Sequence, residues 1–333
     1  MSPQNRMRVV LHIGASKCGS SAIQAYLALN SGALADRGVI VPDTDLSLGG
    51  DVTGEQIWFI ENSLRENGGR AIKSAALDLL SEARRRGCET LVLSAENICN
   101  TPYLATLFAG AFEGCDVAVV FYVRRQDDFL ISSWQQWNLK RFDSLEAFLH
   151  QRVGRDARWL AMISPWADAF GDAAIRVRPF ARDRLFNRDV IDDFFHILNL
   201  SQDGLQPLRQ TANPSFDDSL ARLAHRARDV FDGPHDNRFY DTMAGLLGKS
   251  ALKKGSASSL LDLDTRRDIY AAYADENATL LSRFLPDLDG PLFPPPAPSD
   301  VIEQSESERL SEELAMLTRA VYALAMRLDR AAS

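Results

Sequence analysis

The sequence has few cysteines, no long apolar run and no excess of positive charge. Its 333 residues include four cysteines, and none of them shows the short paired spacing of a metal or redox site. We therefore expect reduced thiols in a cytoplasm. No apolar run is long enough to cross a bilayer, and the polar residues 1–8 do not resemble a signal peptide. A soluble, unexported protein is expected.

The charge balance excludes one large class of partners. The formal net charge of −8 argues against a nucleic-acid binder that depends on a broad basic face. It does not exclude an anionic cofactor, whose site needs only local positive charge. The five histidines lack the spacing of metal ligands, so no metal site is predicted.

Strand-like and helix-like segments alternate through the first half of the chain. Such alternation predicts a three-layer α/β/α fold with a central parallel sheet, and ligand binding at the carboxyl ends of the strands. The later part is largely helical, with 190–198 and 215–231 as its clearest helices. The predicted strands are 8–13, 39–41, 89–94, 116–123 and 174–179, and the helices before residue 190 are 22–36, 72–86, 129–139 and 159–170.

The composition also indicates boundaries. Residues 286–300 hold six of the fourteen prolines and suggest an extended linker, so the predicted division is a domain at 1–285, a linker at 286–300 and a C-terminal amphipathic helix at 301–333. That helix carries apolar residues at spacings of four and three. We expect the apolar residues to form a homodimer contact or to fold back on the protein's own body. They are Leu310, Leu314, Leu317, Val321, Leu324 and Leu328.

The most informative motif lies near the start of the chain. Residues 9–21 run an apolar strand into a loop that carries Lys17, Gly19, Ser20 and Ser21, and a helix-like stretch follows. Backbone amides of such a loop and the N-terminus of the helix point at one place, where they bind a phosphate or sulfate group. The two hydroxyls can donate to the anion or cap the helix.

The spacing differs from the loop that binds nucleoside triphosphates. Gly14 and Gly19 have that loop's separation, but Ser20 stands where its lysine would be, and Lys17 lies two residues before Gly19. The order K-x-G-[ST]-[ST] after a strand resembles the 5′-phosphosulfate loop of sulfotransferases that use 3′-phosphoadenosine 5′-phosphosulfate (PAPS).

A second segment strengthens this resemblance. The strand-like run 116–123 ends at Arg124, and Ser132 follows eight residues later at the start of a helix-like stretch. In the sulfotransferase family an arginine and a serine in this arrangement bind the 3′-phosphate of PAPS. For Arg125 beside it two roles stay open: it assists in binding the anion, or it pairs with Asp127 or Asp128 on the surface. The motifs are most similar to the bacterial branch, over residues 8–140.

The resemblance implies roles for the loop residues. Lys17 would neutralise the oxygen that bridges phosphate and sulfate, and the cofactor-binding set would comprise Lys17, Cys18, Gly19, Ser20 and Ser21 with the second motif. Cys18 sits inside the loop, where a lysine and a helix N-terminus lower a thiol pKa. It is either a reactive thiol or a tolerated small side chain.

The general base is predicted from the strand at 89–94. That strand delivers Glu96 to the same edge of the sheet, where a carboxylate could take a proton from an acceptor hydroxyl. The alternative role for Glu96 is a first-turn acid of the following segment. His12, inside the first strand, is expected to be a hydrogen-bonded core histidine and is the second candidate for the base.

The predicted function is a PAPS-dependent sulfotransferase of P-loop-like fold that sulfates a hydroxyl of a glycan or small metabolite without a metal ion. The loop at 42–53, rich in Gly and Asp, would shape the acceptor pocket. Two alternatives stay open at this point. One is a non-catalytic module that binds PAPS or another anion and holds a partner by its tail, and the other is a nucleotide-dependent kinase.

Overall fold

The computed structural model describes residues 6–53, 56–208, 217–252, 255 and 257–332. Within them the chain divides into two compact units whose segments alternate along the sequence. The first unit takes the residues up to Arg124, those of 158–212 and those of 275–293. The second takes 125–157, 213–274 and the residues from Pro294 onward.

The first unit contains a five-stranded sheet in the order β2-β3-β1-β4-β5. Every neighbouring pair is parallel, and Arg8 at the start of β1 lies opposite Thr90 on one side and Asp116 on the other. The middle residues of the central strands are apolar and buried, as expected where both faces of a sheet are covered. The strands are β1 (Arg8–His12), β2 (Val39–Ile40), β3 (Thr90–Ser94), β4 (Asp116–Val123) and β5 (Ile175–Pro179).

The structure contains helices at the predicted positions, and it also contains helices that the sequence did not predict. The described residues form α1 (Ser20–Leu29), α2 (Ser31–Ala35), α3 (Gln56–Asn67), α4 (Arg70–Arg85), α5 (Pro102–Ala111), α6 (Gln126–Gln136), α7 (Leu145–Arg152), α8 (Trp159–Phe170), α9 (Val190–Ile197), α10 (Asp218–Arg226), α11 (Arg238–Leu247), α12 (Leu263–Ala272), α13 (Ala274–Phe284) and α14 (Glu306–Ala332). None of these helices combines the length and the apolar composition required to cross a membrane.

The helices of the first unit cover both faces of its sheet. The connection from β1 to β2 runs in one direction across the sheet, and the later connections run in the other. Since parallel crossovers are right-handed, the two directions place their helices on opposite faces. In agreement, α1 packs against α9, whereas α3, α4, α5 and α8 pack in succession. The predicted α/β fold class is confirmed.

The second unit is helical and is held by a buried ion network. The carboxylate of Asp127 is fully buried and accepts from Arg125 Nε at 2.7 Å and from Arg266 Nη1 at 2.5 Å. Arg125 also contacts Asp300 at 3.0 Å. Of the two roles considered for Arg125, the structure shows the pairing with Asp127, but the pair is buried and does not lie on the surface.

Several boundaries differ from the predicted ones for local reasons. The helix predicted at 22–36 is two helices, because the chain leaves helical geometry at Asn30, whose side chain donates to the Tyr26 carbonyl. The helix predicted at 215–231 is α10, whose amides are capped by the Asp217 carboxylate. The beginning of that predicted range, at 215–216, lies outside the described residues.

The proline-rich stretch contains packed residues. Leu292 and Phe293 are buried, and the boundary between the two units falls directly after Phe293. The division at 285 and 300 stays a prediction. Beyond this stretch, α14 forms the long helix that the apolar spacing indicated.

Candidate active site at the carboxyl ends of the strands

The loop after β1 turns sharply into α1. Lys17 and Gly19 both have left-handed backbone conformations, with φ of 64° and 86°, and Gly19 is the N-cap of the helix. Among the residues that the structure describes, no side chain caps this end. The first intrahelical bonds are those donated by Ala22 and Ile23 to the Gly19 carbonyl, so the amides of Ser20 and Ser21 lie ahead of them and face out from the helix N-terminus. This geometry favours an anion.

Both glycines of the loop are required by close packing. A Cβ atom at Gly14 would lie 2.7 Å from Ser20 Oγ and 3.0 Å from His12 Nε2. A Cβ atom at Gly19 would lie 2.8 Å from a ring carbon of Phe180 and 2.9 Å from a methyl group of Val190. A larger residue at either position would therefore force neighbouring side chains or the loop to shift.

Two loop side chains predicted for cofactor binding are engaged within the protein. The hydroxyl of Ser20 is buried and donates to the Ala15 carbonyl at 3.2 Å. The thiol of Cys18 is fully buried, and this burial raises its pKa to about 12, although the charges of Arg124 and Lys17 lower the pKa. The thiol is thus protonated at neutral pH. Of the two readings of Cys18, this environment fits the small buried side chain.

Two cations come together from neighbouring strands. Arg124 directly follows β4, and its Nη1 donates to the Lys17 carbonyl at 3.3 Å. The indole N–H of Trp159, in α8, donates to the Arg124 carbonyl at 2.8 Å. These bonds hold the end of β4 against the loop after β1. Both cationic side chains are half-buried, which strengthens their effect on a nearby anion.

Glu96 lies beside this loop because of its neighbour Asn97. The Asn97 amide donates to the Gly14 carbonyl at 2.7 Å, and its side-chain oxygen accepts from the Ser16 amide at 3.2 Å. Asn97 adopts a left-handed conformation with φ of 68°, which asparagine tolerates better than most residues. The sequence did not predict a role for Asn97. An asparagine directly after a strand-end acid was the only available signal.

The environment of Glu96 makes its carboxylate a stronger base than usual. Partial burial raises the pKa of Glu96 above its ordinary value, and the charge of Lys17 opposes that rise. The interaction also shows that Lys17 and Glu96 lie within electrostatic reach of each other. A base and a cation therefore occupy one edge of the sheet.

His12 is the core histidine that the sequence predicted. It is fully buried, its Nδ1 lies 2.7 Å from Ser94 Oγ, and the rings of Tyr122 and Phe194 pack edge-on against it. Burial lowers the pKa of His12 to about 3, so the ring is neutral. Its Nε2, next to Gly14, has no hydrogen-bond partner among the described residues.

Ser132 belongs to the second, helical unit. It lies in the second turn of α6, and its side chain is buried. Its role together with Arg124 stays a prediction from the sequence.

Comparisons with known proteins give a distant structural similarity and no match in sequence. No protein-family model matches the chain, and no curated protein sequence matches it either. Among solved structures, the chain is similar to a sulfotransferase from Alicyclobacillus acidocaldarius, with 19% sequence identity and a TM-score of 0.38. The similarity covers 67% of this chain and 94% of that one.

Proposed function

We propose that the chain is a sulfotransferase that transfers the sulfuryl group of PAPS to an acceptor hydroxyl and releases 3′-phosphoadenosine 5′-phosphate. The observation that carries this proposal is the meeting of Lys17, Arg124 and Glu96 at the N-terminus of α1. Two cations and outward-facing amides suit a polyanionic donor. A partly buried carboxylate beside them suits an acceptor that must lose a proton.

The loop fits the donor's sulfated phosphate. Gly14 and Gly19 let the loop pack where a Cβ atom would collide with protein side chains, so the loop keeps the turn that leaves the first amides of α1 without intrahelical partners. The amides at Ser20 and Ser21 would hold its oxygens. Lys17 would supply positive charge where negative charge grows on the leaving group. When bound, the donor supplies the sulfuryl group and an anionic leaving group.

Glu96 would act as the general base. Burial raises its pKa, which increases its affinity for the proton of an acceptor hydroxyl. The charge of Lys17 favours the ionised form of the carboxylate and so opposes the rise that burial causes. In one reaction, Glu96 would therefore accept the proton of the acceptor hydroxyl, and Lys17 would neutralise the charge of the leaving group.

The acceptor class is proposed from the loop at 42–53. The buried carboxylate of Asp43 accepts from the amides of Asp45, Ser47 and Gly50 and so gives the loop one conformation. A preformed polar loop suits a hydroxyl-rich acceptor, and we propose a glycan or a small hydroxylated metabolite.

Calorimetry with PAPS, ATP and inorganic sulfate tests the donor assignment. The wild-type protein should bind PAPS, with sulfate and ATP binding more weakly. Lys17→Ala should lower turnover by about 100-fold or more with a smaller loss of PAPS affinity, because the charge acts mainly in the transition state. Arg124→Ala should weaken PAPS binding by roughly 30-fold, the equivalent of about 2 kcal/mol.

Lys73→Ala provides a matched control. This lysine is exposed on α4, so both PAPS binding and turnover should match the wild type. Turnover is followed as release of 3′-phosphoadenosine 5′-phosphate over a panel of sugars and phenols. Absence of PAPS binding in the wild type overturns the proposal, and PAPS binding without turnover on any acceptor favours the non-catalytic module. Preferential binding of ATP favours the kinase.

A further inference from the structure

The helix α14 presents an apolar stripe to solvent. Six residues at spacings of four and three are each exposed by between 41% and 66%. At about 1.5 Å per residue they form a seam of roughly 27 Å along one face. We call this set the leucine seam, and it consists of Leu310, Leu314, Leu317, Val321, Leu324 and Leu328.

The helix is attached to its own unit by a different stripe. Glu313 and Ala320 are buried where α14 packs against α10 and α11. The Glu313 carboxylate accepts from Arg222 Nε at 2.8 Å and from Arg226 Nε at 2.9 Å. Arg327, near the other end, donates to the Gly245 carbonyl. The anchoring stripe consists of Arg309, Glu313, Met316, Ala320, Ala323 and Arg327.

The anchoring stripe and the leucine seam lie about 100° apart around the helix, because each seam residue directly follows an anchoring residue. The sequence left open whether the seam folds back on the body of the protein. Within the described residues, α14 does pack on its own unit, but through the anchoring stripe. The leucine seam itself stays exposed among the described residues.

We propose that two copies of the chain associate through the leucine seam with their α14 helices antiparallel. The spacing of the seam is the same read in either direction, so it is symmetric about position 319. A two-fold axis there sets Leu310 against the partner's Leu328 and Leu314 against the partner's Leu324. It also sets Leu317 against the partner's Val321, so every seam residue meets an apolar one. This self-matching is what an isologous dimer requires.

The charges of α14 favour the antiparallel over the parallel arrangement. Residues 306–313 carry four glutamates and one arginine, whereas 327–330 carry two arginines and one aspartate. Parallel packing would bring the two acidic ends together, and antiparallel packing brings each acidic end toward a basic one. Antiparallel helix dipoles add to the same preference.

The size of the seam is compatible with a stable contact. A specific dimer buries about 1,200 to 2,000 Å² in total, or roughly 600 to 1,000 Å² from each copy. A helix of 27 residues is about 40 Å long and has room for such a contact. The residues beside the seam on its open flank, Ser311, Thr318 and Ala325, are small and uncharged, so two helices can approach closely.

Light scattering of full-length variants tests the dimer. The wild type should have the mass of two chains, and Leu317→Glu should reduce it to one, because two carboxylates would be buried near the two-fold axis. Tyr322→Glu is the matched control. Its side chain is 67% exposed on the same helix but lies outside the seam, so the mass should stay that of two chains. Circular dichroism melts establish that each variant is folded.

A second experiment determines the direction of the helices. Chains carrying Leu310→Cys are mixed with chains carrying Leu328→Cys and oxidised by air, and the cross-linked products are identified by mass spectrometry. An antiparallel pair gives the mixed product, with at least tenfold less of the Leu310→Cys self-product. A predominance of self-products overturns the antiparallel arrangement.

A wild-type mass of one chain overturns the dimer itself, and so does a mass of two chains that persists in a folded Leu317→Glu protein. If Leu317→Glu does not fold, Leu314→Ser, at the seam's outer part, takes its place with the same expected result. PAPS plays no part in these measurements, so the outcome is independent of the proposed function.

Discussion

The replacement Gly19→Ala tests the geometry of the anion loop most directly. Gly19 has a φ of 86°, and a left-handed conformation costs an alanine about 1 to 2 kcal/mol. The added methyl group would lie 2.8 Å from Phe180 and 2.9 Å from Val190, and such overpacking costs typically about 1 to 3 kcal/mol. Alanine also lowers the conformational entropy of the unfolded chain, which stabilises the folded state by about 0.4 to 1 kcal/mol. We expect a net loss of roughly 2 to 4 kcal/mol in the free energy of unfolding.

Thermal melting measures this loss, and a second glycine supplies the control. If the chain unfolds in one transition, its size makes 1 kcal/mol worth about 1.4 °C, so the melting temperature of Gly19→Ala should fall by roughly 3 to 6 °C. Gly32, in α2, has open space around its Cα, and Gly32→Ala should raise stability by about 0.5 to 1 kcal/mol.

Binding gives an independent measure of the same change. Displacing the loop amides should weaken PAPS binding by about tenfold or more in Gly19→Ala, since a hydrogen bond to a charged group contributes about 1.5 to 3 kcal/mol. Gly32→Ala should bind normally. A Gly19→Ala protein that melts within 1 °C of the wild type and binds PAPS as well would refute the argument that the loop depends on glycine at this position.

Two further substitutions test the region of Glu96. Glu96→Gln should lower turnover by about 100- to 10,000-fold with PAPS affinity nearly unchanged, because the amide keeps the shape and cannot accept a proton. Since the folded state raises the pKa of Glu96, its ionisation destabilises the fold. The wild type should therefore lose free energy of unfolding relative to Glu96→Gln as the pH rises from below the pKa of the unfolded carboxyl group through that of the folded one. Denaturation over a pH series measures this change. A difference that is constant with pH contradicts the raised pKa. Asn97→Ala should lower both stability and turnover, since it removes the acceptor for the Ser16 amide and puts alanine into a left-handed conformation. Asn97→Gly, the control, keeps that backbone conformation at little cost and should recover part of the stability. Equal melting temperatures for the two variants would show that backbone conformation at this position contributes nothing.

The sheet could be predicted from the sequence because its strands are short apolar runs that each end at polar residues. The run 116–123 gave the bounds of β4 without error. Helices α3 and α5 were among those not predicted, since the first has a weak periodic pattern and the second begins at a proline.

Contacts between distant residues could not be predicted. The partners of Arg125 include Asp300, which is far along the chain, so no local pattern could decide between its two predicted roles. The position of Glu96 at the strand end was predictable from the strand itself, but its attachment to the loop depends on Asn97, which no periodicity indicates. For α14 the sequence revealed the leucine seam but not the anchoring stripe beside it, because Glu313 is buried only through its pairing with two arginines.

The order of the strands has a consequence for how the chain folds during synthesis. The central strand β1 lies between β3 and β4, and both of these follow it by many residues. His12 bonds to Ser94, which is 82 residues further along. Synthesis adds about 5 to 20 residues per second, so roughly 4 to 16 s pass between the synthesis of β1 and that of β3, its first neighbour in the sheet. During that interval Val9, Val10 and Leu11 have no strand to pair with, so this segment is where a chaperone is expected to bind the nascent chain.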